Sequence, residues 1–318
     1  MHDLSTRAQP QHHRRRGSRA MAAVVVFFTA FALTSLIPAP AYPAQPSDIE
    51  ISSAPEASSL GADITSSSHD LAIEVVAPGK EGLELTARLT DDGGIIEYPI
   101  TWTIRTSEGE VVYSGAASSA DVSTRPGDYV VDIRYGAARL TSTVTLMETN
   151  RLMISYVLNA GGLRVLPRVQ DIGTTTAPAI SRIFALDSHN NGKLVAETKL
   201  PGEIIRLPEG DYRVESRYAA GNASAVTDVH VKAGRMSAID IDHKAGLARL
   251  AFVGAATADV EWNVRDTGGQ DIATAQGLQA DVVLRPGTYT ASARVGAEVL
   301  TATFIIATGE ARDIILGN

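Results

Sequence analysis

The stretch RPGDYVVDIRYG at residues 125–136 returns as LPEGDYRVESRY at 207–218 and as RPGTYTASARVG at 285–296. Self-similarity at this spacing commits a chain to an array of like units. Gly82-Leu83, Gly162-Leu163 and Gly246-Leu247 each open a unit, 80 and 84 residues apart. Before each lies a similar run: DLAIEVVAPGKEG, RLMISYVLNAGG and MSAIDIDHKAG, with a fourth copy at ARDIILGN.

Inside the repeat, residues alternate. Tyr129, Val131, Ile133 and Tyr135 share one face, and Asp132 and Arg134 share the other. Tyr212, Val214 and Tyr218 oppose Arg213, Glu215 and Arg217, and Tyr289, Ala291, Ala293 and Val295 oppose Thr290, Ser292 and Arg294. Period two with one apolar face predicts a strand covering a core on one side only. The glycine admits the turn, and Pro126, Pro208 and Pro286 pre-set its φ. Tyr129, Tyr212 and Tyr289 then bury a ring and cap a loop with the hydroxyl, a structural role. Trp102 and Trp262, each 25 residues before a repeat glycine, are expected in the cores, with Phe184 in the Trp role of the middle unit. Short β-branched runs such as GLELTARLT, YPITWTIRT and LTATFIIATG alternate with Gly, Asp and Asn turns. The expected fold is all-β: three tandem antiparallel β-sandwich modules of the Ig-like or transthyretin-like kind at 71–161, 162–245 and 246–318. They follow a signal helix or anchor at 1–44 and a disordered linker at 45–70.

LPEGDYRVESRY…VTDVHVKAGRMSAIDID resembles the L-P-x-G-x-Y-x-V…V-x-V-x-A-G pattern of carboxypeptidase-regulatory-like and transthyretin-like modules. The resemblance spans about residues 71–318. It implies sandwich modules of bacterial envelope proteins, without an active site of their own. The third unit keeps Pro286, Gly287 and Tyr289 but has Thr290-Ala291 where the pattern wants valine.

The N-terminus reads as an export signal. HHRRRGSR supplies positive charge, residues 20–37 carry none, and APA at 39–41 offers small residues for cleavage, with Ala44 a second site. The rival reading is an uncleaved inner-membrane anchor, since residues 20–37 reach the lower limit of a spanning segment. Residues 1–41 hold five arginines and one aspartate, so cleavage there leaves 23 basic and 35 acidic residues, a net charge of about −12. Nucleic acid is not an expected partner. The sequence has no cysteine, which excludes disulfides, thiolate metal sites and cysteine nucleophiles. The expected location is the periplasm or the cell surface.

Catalytic motifs are missing. His69, His189, His230 and His243 are the histidines beyond the signal, and no HExxH, GxSxG or phosphate loop occurs. DSHNNG at 187–192 has half of a calcium loop but Thr198 where the glutamate belongs, so a hairpin turn is expected. The expectation is a non-enzyme with no cofactor and no metal. Arg134, Arg217 and Arg294 recur five places after each tyrosine and form a candidate interaction stripe; cross-strand pairing with carboxylates is the plainer alternative. The function expected is an exported scaffold or spacer that docks another envelope protein. A carbohydrate- or peptide-binding protein, or an accessory subunit of an envelope enzyme, is the alternative, with a glycan as second partner class. Membrane contact is expected only through an uncleaved N-terminus. Because the repeats abut, short joints with inter-module surfaces are expected, each closing strand belonging to the preceding module.

Overall fold

The computed structural model describes residues 61–64, 68–186, 192–254 and 260–317. The signal or anchor at 1–44, most of the linker and the turn at 187–191 lie outside the described residues.

Among the described residues two strands, β1 (Ala62–Asp63) and β2 (His69–Val75), precede three modules of seven strands each. Module 1 runs β3 (Gly82–Arg88), β4 (Ile100–Thr106), β5 (Val111–Ala117), β6 (Ser119–Ser123), β7 (Gly127–Tyr135), β8 (Ala138–Leu146) and β9 (Asn150–Val157). Module 2 runs β10 (Ala160–Val169), β11 (Ala179–Ala185), β12 (Leu194–Thr198), β13 (Ile204–Pro208), β14 (Gly210–Tyr218), β15 (Ser224–Val231) and β16 (Met236–His243). Module 3 runs β17 (Gly246–Val253), β18 (Val260–Asp266), β19 (Asp271–Gln276), β20 (Gln279–Leu284), β21 (Gly287–Val295), β22 (Glu298–Ile306) and β23 (Ala311–Gly317).

Each module is a sandwich with the same order. One sheet is β5-β4-β7-β8, β12-β11-β14-β15 or β19-β18-β21-β22; the other has β6-β3-β9, β13-β10-β16 or β20-β17-β23 as its body. Among each module's own seven strands, pairing is antiparallel except in one ladder. There the closing strand lies parallel to the opening strand of its own module, β9 on β3, β16 on β10 and β23 on β17. A parallel neighbour needs a crossover rather than a hairpin, and the four strands of the facing sheet supply it. β2 adds to module 1 alone, antiparallel on β9.

The ladders set which residues correspond. Gly82 pairs with Arg151 and Ser123, Gly162 with Met236 and Arg206, and Leu247 with Ala311 and Val283. Leu247, not Gly246, therefore takes the place of Gly82 and Gly162. Pairing, not letter identity, fixes position, and a one-residue slip would turn every core side chain outward. β10 also begins at Ala160, ahead of the expected boundary at 162.

Each core is built where the alternating faces meet. Trp102 and Trp262 are buried, and each indole Nε1 donates to a carbonyl fifteen residues on, Ala117 at 3.0 Å and Gly277 at 2.9 Å. In module 2 the corresponding residue is Ser181, opposite Ser216 as Trp102 is opposite Ile133. Phe184 does not fill the Trp role: it lies on the other face of β11 and is half-buried. Beside the two serines, the fully buried His243 sets Nε2 3.2 Å from the Ser216 carbonyl and meets the Tyr218 ring edge-on at 4.8 Å.

The modules dock through joints made of hydrogen bonds and buried side chains. At joint 1 the β7–β8 turn of module 1 meets the outer edge of β13: the Ala137 N–H donates to the Arg206 carbonyl at 2.9 Å. At joint 2 the turn after β14 meets β20: the Val283 N–H donates to the Ala220 carbonyl at 3.0 Å. Arg206 and Val283 correspond by register. Thr90 packs on Gly234 and Asp171 on Gly309, so closely that a Cβ on either glycine would come within 3.0 and 2.8 Å of them. Joint 2 also buries Val169, Ala179 and Tyr218 with Leu247 and Val283.

The expected linker at 45–70 is in part ordinary structure. Ala62 and Asp63 pair in parallel with Ala138 and Arg139, and Ala62 is buried with Ala137 against the core of module 2. Two residues suffice because a small side chain fits the seam, and the ladder needs no hydrophobic period.

Candidate interaction surfaces

The tyrosine of each repeat closes a corner. Tyr129, Tyr212 and Tyr289 are buried, and each hydroxyl donates to the carbonyl four residues back: Arg125 at 2.6 Å, Pro208 at 2.8 Å and Arg285 at 3.0 Å. The prolines do not correspond throughout. Pro126 and Pro286 stand directly before the repeat glycine, whereas Glu209 stands there in module 2 and Pro208 is the accepting residue. These side chains are occupied by the fold, so interaction chemistry must come from elsewhere.

Arg134, Arg217 and Arg294 are exposed and occupy corresponding positions, opposite Thr101, Ile180 and Glu261. Among the described residues none of the three has a carboxylate within ion-pair distance, unlike the arginines around them. Arg105 pairs with Asp132, Arg182 with Glu197 at 2.9 Å, Arg213 with Asp228 at 2.9 Å and Arg265 with Asp271 at 2.6 Å. Hydrogen bonding to Arg213 holds the Asp228 carboxyl below the usual carboxylate range, and Arg265 with Asn263 does the same to Asp271.

Two of the three arginines line shallow grooves on the outer sheet face. Arg134 borders one of about 400 Å³ with Asp63, Asp132, Arg139 and Thr141. Desolvation, and then the nearby Arg134 charge, lower the pKa of Arg139, and Asp63 opposes this. Arg217 borders one of about 280 Å³ with Arg182, Glu215, Ser224 and Val226. Such surfaces can offer a guanidinium fork to a carboxylate or another anion. Among the described residues no group of three His, Asp or Glu side chains is placed to hold a metal ion.

The joints carry contacts that letter patterns did not reveal. The Arg206 guanidinium stands 4.8 Å from the Tyr135 ring centre and 5.7 Å from that of Tyr98. Asn222 accepts from the Arg285 N–H at 2.8 Å and donates to the Tyr289 hydroxyl at 3.0 Å. Arg285 also donates to Ser224, and Thr176 to Asp281 at 2.6 Å. The signal for Asn222 was its place in a turn, residues 219–223, longer than its counterparts at 136–137 and 296–297.

These features define a chain of docked tandem β-sandwich modules. A family model described as the Rhizobiales growth-associated tandem repeat domain matches residues 251–316, within module 3. No curated protein matches the sequence. Among solved structures, the streptococcal ancillary pilin is 12% identical over 74% of this chain and 98% of that one, with a TM-score of 0.28. The Bacillus anthracis TIE protein is 16% identical over 75% of this chain, with a TM-score of 0.25, and the match spans 50% of its length. A putative cell adhesion protein from Bacteroides ovatus is 10% identical over 49% of this chain and 91% of that one, with a TM-score of 0.25.

Proposed function

We propose that this chain is an exported, non-catalytic scaffold or spacer of the bacterial cell envelope, acting in the periplasm or at the cell surface and docking another envelope protein. The observation that carries the reading is the repeated joint. A register-equivalent edge residue, Arg206 or Val283, receives the preceding module through backbone hydrogen bonds. Fixed joints suit a protein that holds partners at set spacing, whereas free linkers would not. The charged n-region, the uncharged stretch and the small-residue site support export. N-terminal sequencing of envelope fractions tests the reading: a start near residues 42–45 is expected, and an intact Met1 in a soluble cytoplasmic pool contradicts it. Crosslinking pull-down from the same fractions identifies the partner, and growth is the process to examine first.

A second reading has its own observation. Among the described residues Arg134 and Arg217 have no carboxylate within ion-pair distance, and both border grooves, which favours an acidic peptide or glycan as ligand. Loss of such binding in an Arg134→Ala, Arg217→Ala double variant that melts like the parent would support it.

A further inference from the structure

Each joint has a sending face and a receiving face. The sending face is the turn after β7 or β14 with the loop at Thr90 or Asp171. The receiving face is the outer edge of β13 or β20 with the turn at Gly234 or Gly309. Among the described residues, no other module covers the receiving face of module 1 or the sending turn of module 3.

On module 1, Ser123 stands where Arg206 and Val283 stand. Thr149, at φ 59°, stands where Gly234 and Gly309 stand at 66° and 74°. Arg125 stands where Arg285 receives Asn222. These residues border a groove of about 660 Å³, together with Pro78, Gly79 and Glu81. The place that the preceding module fills in modules 2 and 3 is thus an open groove here. Beside it Val75 and Met147 are 81% and 62% exposed. The Glu81 carboxylate closes its floor by accepting from the Gly79 N–H at 2.7 Å and the Thr149 N–H at 3.1 Å.

At the other end, Gly296 turns at φ 59°, matching Gly136 at 64°. A Cβ on Gly136 would sit 2.8 Å from the Arg206 Cβ, but one on Gly296 would meet nothing within 4 Å. The turn that docks in module 1 is repeated in module 3 without a partner among the described residues.

We propose that a second copy of this chain occupies the groove, the Gly296-Ala297 turn of one copy docking on the Ser123 edge of the next. The contact continues the internal joint between chains. It is heterologous, so it leaves one receiving and one sending face free and propagates head to tail instead of closing as a two-fold dimer does. This deepens the scaffold reading, on which it rests, by naming one partner as the chain itself.

The sequence has no cysteine, so disulfide trapping reports only introduced pairs. The chain recovered from envelope fractions is prepared as Ser123→Cys, as Ala297→Cys and as the double variant. On oxidation, a mixture of the single variants should give mostly mixed dimers, and the double variant a ladder. An Ala137→Cys, Arg206→Cys chain, which copies the internal joint, should close within one molecule. Absence of a ladder while that control closes overturns the proposal. Ser123→Cys dimerising as well with itself as with Ala297→Cys overturns it too, because the contact would then be symmetric or unspecific. A parent chain whose sedimentation stays monomeric as concentration rises points to its own N-terminal residues or a different protein as occupant, and also overturns it. None of these failures touches the export reading, which N-terminal sequencing decides independently.

Discussion

At joint 1 an arginine from module 2 reaches two tyrosine rings of module 1, and β1 is laid into the seam. At joint 2 an asparagine from module 2 bridges the backbone and the corner tyrosine of module 3, above a buried apolar cluster. Apart from a loop side chain packed on the turn glycine at each joint, Thr90 on Gly234 and Asp171 on Gly309, the side chains named differ, yet the edge residues that receive the neighbour correspond. Backbone docking sets where modules meet, and side chains decide how firmly. A cation–π contact at a partly exposed site is worth about 0.5–1 kcal/mol, whereas burying apolar area also excludes water from the backbone bonds beside it. Joint 2 should therefore be the tighter.

The largest expected effect breaks the comparison at its shared element. Tyr212→Ala removes a buried ring from module 2, which both joints need, and should cost about 3–5 kcal/mol. Thermal melting with hydrogen exchange should show both joints opening together. If the variant melts like the parent, the corner is not structural. Next, Gly221→Ala would place a Cβ 1.9 Å from the Val283 carbonyl at a φ of 130°, and should cost roughly 1–3 kcal/mol. Proteolysis near residues 244–246 should accelerate, while cleavage near 158–160 should not. Asn222→Ala loses two hydrogen bonds at joint 2, about 1–2 kcal/mol, and Arg206→Ala loosens joint 1 alone by about 1 kcal/mol or less. Equal effects of these two on both joints, read by residue-resolved hydrogen exchange, would show that the side chains do not tune the joints separately.

The smallest effect concerns pH. The backbone N–H groups of Glu81 itself and of Thr149 hold the Glu81 carboxyl below the usual carboxylate range, with Gly79 adding and burial opposing. A lowered folded-state pKa means the contribution is present above the unfolded value, ~4.3, and fades as pH falls through the lower folded value. Glu81→Gln should remove that part of the acid sensitivity at the end of module 1, leaving both joints unchanged in hydrogen exchange.

Strand faces and corners were legible because they repeat. Period two located Tyr129, Val131 and Ile133, and spacing from the glycine located both tryptophans. Matching letters failed where register alone decides: Gly246-Leu247 slips by one residue, and Phe184 looked like a Trp substitute while Ser181 holds that position. The joints were hidden for another reason. Gly221 and Asn222 read as ordinary turn residues, and their partners lie more than sixty residues away in sequence. Ala62 sat in a Ser/Ala/Pro-rich stretch, where two pairing residues leave no pattern.

The central claim is that neighbouring modules are docked, and the amides of Ala137 and Val283 test it most directly. Each donates across a joint, so each is protected from solvent exchange only while that joint is closed. Both should exchange as slowly as interior ladder amides of β7 and β14, with Val283 the slower. Exchange of both at the rate of exposed turn amides, in a chain whose module cores remain protected, would contradict it.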